Sequence, residues 1–79
     1  MASEAEIIAE ARQVRRLQIV VGLALKVIAE SGLTVDEASE LVAAARHYAL
    51  TLFPDKGETY DMIYGSRFKR LMTEKFKLQ

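Results

Sequence analysis

Cysteine is absent from the 79-residue chain, so neither a disulfide framework nor a thiolate metal site can form. That absence suits a reducing compartment, and a cytoplasmic location is the expectation. Histidine occurs once, at His47, which excludes the usual multi-histidine metal sites. Net charge is lacking as well: eleven basic and eleven acidic residues cancel, leaving no global field to draw the chain to nucleic acid or an anionic membrane. Nor is there an apolar run long enough to cross a bilayer. The run from Leu17 to Ala29 makes about 20 Å of helix against roughly 30 Å of hydrocarbon, and Lys26 interrupts it. The first residues, Met1-Ala2-Ser3-Glu4-Ala5-Glu6, are acidic where a secretory signal is basic, so export is not expected either.

What is present is a helical pattern with clear punctuation. Ser3 and Glu6 have capping-box spacing and open a first helix, about residues 3–31, with Gly32 placed for a left-handed C-terminal cap. Thr34 and Glu37 repeat the spacing and open a second helix, about 35–53, which the single proline, Pro54, stops. Asp55 followed by Glu58 opens a third, about 56–77, kinked or split near Gly65: Gly65-Ser66 either bends it or divides it, in which case Gly65 caps one piece and Ser66 opens the next. No segment alternates with period two and no internal repeat occurs. The expected architecture is all-α: residues 1–79 as one domain, a small antiparallel three-helix bundle with short connections. A domain this small buries only about 60% of its unfolded surface and gains from association.

Stepping about 100° per residue, helix 1 carries a core stripe of Ile7, Val14, Leu17, Val21, Ala24, Leu25 and Ile28. A second stripe, Ile19, Val20, Leu23 and Val27, lies in the angular sector occupied earlier in the helix by Arg12, Arg15 and Arg16. A helix apolar on two sides must be enclosed by other helices, a partner or lipid. Helix 2 turns Ala38, Leu41, Val42, Ala45, Tyr48, Ala49, Leu52 and Phe53 inward, with His47 nearly opposite and solvent-facing. Helix 3 points Tyr60, Tyr64, Phe68, Leu71 and Met72 inward, the hydroxyls needing partners or water.

Chemistry-bearing patterns are sparse. A helix start at Ser66 would aim free amides, the Ser66 hydroxyl and Arg67 or Arg70 at a phosphate or carboxylate, although a lone Gly-Ser-Arg lacks the multi-glycine cradle of phosphate loops. Asp55, Glu58 and Asp61 supply too few oxygens for a hard cation and are explained by the helix dipole. His47 has no candidate nucleophile beside it, so no catalytic residue, metal or cofactor is assigned and no enzyme activity is expected. Charge is uneven along the chain: residues 1–40 hold seven acids and four bases, residues 41–79 four acids and seven bases. Two functional expectations follow. The first is a protein-interaction module that forms a homodimer, or docks on another helical protein, by burying Ile19, Val20, Leu23 and Val27, with Arg12 and Arg16 at the rim. The second is a nucleic-acid-binding regulator that uses the basic C-terminal helix, through Ser66, Arg67 and Arg70.

Overall fold

The computed structural model describes residues 3–77, so the part of the N-terminal reading that rests on Met1 and Ala2 lies outside the described residues. The chain forms α1 (Glu4–Glu30), α2 (Val35–Leu52), α3 (Gly57–Tyr60) and α4 (Ser66–Phe76), with a π-helical turn (Asp61–Gly65) joining the last two into one continuous rod. Residues near the start of α1's apolar run, such as Leu17, border the end of α2 at Ala49 and Phe53, while Val27 borders Leu41 near its beginning. α1 and α2 are therefore antiparallel, and the fold is a small all-α three-helix bundle. Among the described residues no helix is long and apolar enough to cross a membrane.

Caps explain where the elements begin. Thr34 Oγ1 accepts from the Glu37 amide at 3.1 Å and Glu37 Oε1 accepts from the Thr34 amide at 3.0 Å, the reciprocal box expected for α2. At α1 one arm is present: Ser3 Oγ accepts from the Glu6 amide at 3.1 Å. Asp55 does not cap the third helix. The chain turns tightly after Phe53, whose carbonyl accepts from the Lys56 amide at 3.1 Å, and Lys56 becomes the flanking residue without a side-chain cap.

The end of α1 also differs from expectation. Gly32 does not adopt a left-handed conformation, and Ser31 leaves the helix extended, with φ −94° and ψ 155°. The terminal carbonyls are served from α4 instead: Lys75 Nζ donates to the carbonyls of Ile28 and, at 2.7 Å, of Ser31. A cation at a helix C-terminus also complements the helix dipole, so one side chain supplies both hydrogen bonds and charge.

Of the two forms expected near Gly65, the last helix takes the kinked one and is not split. Gly65 has a helical φ of −57° and ψ of −40° and is the last residue of the π turn, in which the Ser66 amide donates to the Asp61 carbonyl five residues back. The core runs along the bundle axis: Leu17, Val21, Ala24 and Ile28 of α1 meet Ala38, Ala45 and Ala49 of α2, Tyr60 of α3, and Phe68 and Met72 of α4. The alanines let α2 approach closely, leaving the large side chains to α1 and α4. Ile7 and Val14, expected in this core, are exposed. For Ile7 the reason is length, because α1 has 27 residues against 18 in α2 and its first turns run past the end of α2, whereas Val14 borders an open notch beside Phe53, Ile63 and Tyr64.

Candidate functional site

The outer side of α1 is where apolar surface is left uncovered. Ile19, Leu23 and Val27 remain 53%, 59% and 41% exposed, with Val20 half-buried beside them. No residue of α4 lines the groove beside this face, and Lys75 of α4 meets α1 at the carbonyls of Ile28 and Ser31. Between α1 and α2 the same face opens into a groove of about 380 Å³, floored by Ala24 and Ala45 and walled by Val20, Leu23 and Val27 from α1 and by Leu41, Ala44 and Tyr48 from α2. Beyond Val27 it continues past Leu33 and is bordered by Glu37 and Glu40. The α2 wall was not part of the expected site. Leu41 and Tyr48 read as core because they share a helical face with Ala45, and the offset that leaves them half-buried arises only when α1 packs beside them.

Charges bracket the apolar stripe. Arg12 and Arg16 lie exposed on the N-terminal side, and Glu30 lies exposed at the C-terminal end. The one ion pair among the described residues is Arg46 with Asp61, and none of these groups has a salt-bridge partner among them. The Glu37 carboxyl is held below its usual range, chiefly by the hydrogen bonds to Thr34, and so stays ionised at the mouth of the groove.

The anion cluster around Ser66 is not assembled as expected. Because the helix is continuous there, the Ser66 amide is bonded to Asp61, and the Ser66 hydroxyl donates to the Met62 carbonyl at 2.8 Å. The guanidinium of Arg67 lies over the Tyr64 ring, 5.9 Å from its centroid. Arg70 shares a shallow surface with Arg67, but Glu74 lies on it too, and Lys75 is drawn into the bundle by the α1 carbonyls. The basic helix thus presents fewer free cations than its sequence counts.

A smaller notch of about 210 Å³ lies beneath the overhanging start of α1, between Val14, Leu17, Phe53, Ile63 and Tyr64. Tyr60 borders it, its ring tilted 44° to that of Tyr64 at 5.5 Å between centroids, and its buried hydroxyl has no hydrogen-bond partner among the described residues. Burial pushes the Tyr60 phenol pKa up, and the nearby Asp61 carboxylate adds to the shift. His47 is exposed on α2, and no group of three potential metal-ligating side chains occurs among the described residues. No family model, curated protein or solved structure matches the chain.

Proposed function

We propose that this chain is a non-enzymatic interaction module that pairs with a second copy of itself through the outer face of α1 and the groove beside it. The observation that carries this reading is the unbroken apolar surface of Ile19, Leu23 and Val27 running into a groove lined almost wholly by carbon. Scattered exposed leucines mean little on a protein surface, whereas a contiguous patch with a groove marks an interaction site. Size supports the same reading. A chain of 79 residues builds only a small core and gains from the further area that association covers.

A nucleic-acid interface on the basic helix has weaker support, because Lys75 is engaged with α1 and Glu74 sits among the arginines. The discriminating experiment is sedimentation velocity of the chain and of Leu23→Asp, alongside retention on duplex DNA over a salt gradient. Self-association abolished by Leu23→Asp supports the module. A monomer indifferent to the substitution, or salt-sensitive DNA retention lost in Arg67→Glu with Arg70→Glu, contradicts it.

A further inference from the structure

Resting on the self-association reading above, we propose that two copies pair antiparallel about a twofold axis at Leu23, with each Arg16 facing the partner's Glu30. Arg16, Leu23 and Glu30 are seven residues apart in each step, and a straight helix drifts only about 20° over that interval, so the three form a single stripe on α1. Their chemistry is ordered: a cation at one end, a leucine in the middle, an anion at the other. An antiparallel partner presents the same order reversed. Leu23 then meets its own copy, Ile19 lies against Val27 of the partner subunit, and both ends of the stripe meet opposite charge. A parallel arrangement in register would set Arg16 on Arg16 and Glu30 on Glu30, which like-charge repulsion disfavours.

The surroundings carry the same polarity. Arg12 extends the cationic end, while Glu37 and Glu40 border the groove just past Val27 and extend the anionic end. Among the described residues neither Arg16 nor Glu30 is in an ion pair, and Lys26, one turn before Glu30, is exposed and not within ion-pair distance of it. A surface that is self-complementary in reverse is what a closed twofold dimer requires. The apolar stripe supplies most of the affinity, and the rim charges choose the direction.

The absence of cysteine makes the register directly readable, because any introduced thiol is the sole one. Ile19→Cys mixed with Val27→Cys is expected to give the crosslinked heterodimer on mild oxidation, while Ile19→Cys alone gives little. Charge exchange supplies an independent reading by sedimentation equilibrium. Arg16→Glu and Glu30→Arg should each weaken self-association, by about tenfold across the two symmetric contacts, while a mixture of the two variants pairs at least as tightly as the unaltered chain. Ready Ile19→Cys self-crosslinking, or charge variants that fail to rescue each other, overturns the antiparallel register even if Leu23→Asp still abolishes the dimer. A chain that does not self-associate at all overturns both the register and the reading beneath it.

Discussion

Arg46 on α2 grips Asp61 with two guanidinium nitrogens: Nε donates to Oδ1 at 2.8 Å and Nη2 to Oδ2 at 3.1 Å. The pair is exposed, but it fastens the middle helix to the π turn, whose Asp61 carbonyl accepts the five-residue hydrogen bond from Ser66. An ion pair and a helical irregularity thus meet at one residue.

That pairing sets an acid-side dependence of stability. Asp61, through its hydrogen bond to Arg46, and Glu37, through Thr34, both have carboxyl pKa values below the ordinary range. Depressed carboxylates contribute stability that is fully present above the unfolded-state pKa, about 4, and is lost as pH falls through the lower folded-state values. Melting temperatures should change little on this account from neutral pH down to about 5 and drop below about 4. Asp61→Asn and Glu37→Gln should each flatten the drop. A fall already under way between neutrality and pH 5, and unaffected by either variant, would contradict the assignment.

The caps differ in strength and should differ in cost. Thr34→Ala breaks a reciprocal pair and is expected to cost about 1 kcal/mol, lowering the melting temperature of a chain this size by several degrees. Ser3→Ala removes a single hydrogen bond at the overhanging end of α1 and should cost less. Denaturant titration of both variants checks the order.

Lys75 is predicted to behave as a structural residue and not as a surface cation. Lys75→Met keeps the aliphatic stem but leaves the Ile28 and Ser31 carbonyls without their donor, and a loss of about 1 kcal/mol is expected. Lys77→Met removes an exposed cation from the same end of the chain and should be close to neutral, within about 0.5 kcal/mol. Equal effects would contradict the role given to Lys75.

Two glycines test the continuity of the helices. A Cβ at Gly22 meets nothing within 4 Å, and one at Gly65 makes ordinary contact with Asp61 at 3.5 Å, while neither backbone has positive φ. Gly22→Ala and Gly65→Ala should therefore each stabilise the fold by about 0.5–1 kcal/mol. A large loss at Gly65 would mean that the π turn needs a glycine.

The bundle, its helix limits and the uncovered stripe were legible because each rests on local chemistry: caps, one proline and the angular spacing of apolar residues. The misplacements came from interactions between elements. Gly32 looked like a left-handed cap because the donor that replaces it, Lys75, is 44 residues away from Ser31. Gly65-Ser66 offered a kink or a split, and the sequence did not choose between them, since a π turn leaves no residue signature distinct from an ordinary helix. Ile7 and Val14 have the right angle for the core, but angle alone does not say that α2 stops short of Ile7 or that a notch opens beside Val14. For the site, the pattern supplied the α1 half of the groove. Its α2 wall of Leu41, Ala44 and Tyr48 depends on how the two helices are offset.

The central claim is that the outer face of α1 is an interface between copies, and sedimentation velocity at micromolar concentrations tests it most directly. The account predicts a concentration-dependent shift toward twice the chain mass for the unaltered protein. Leu23→Asp should stay monomeric with its helical circular dichroism intact, since Leu23 is exposed and outside the core. A chain that remains monomeric across that range, or a dimer that Leu23→Asp leaves unchanged, would contradict it.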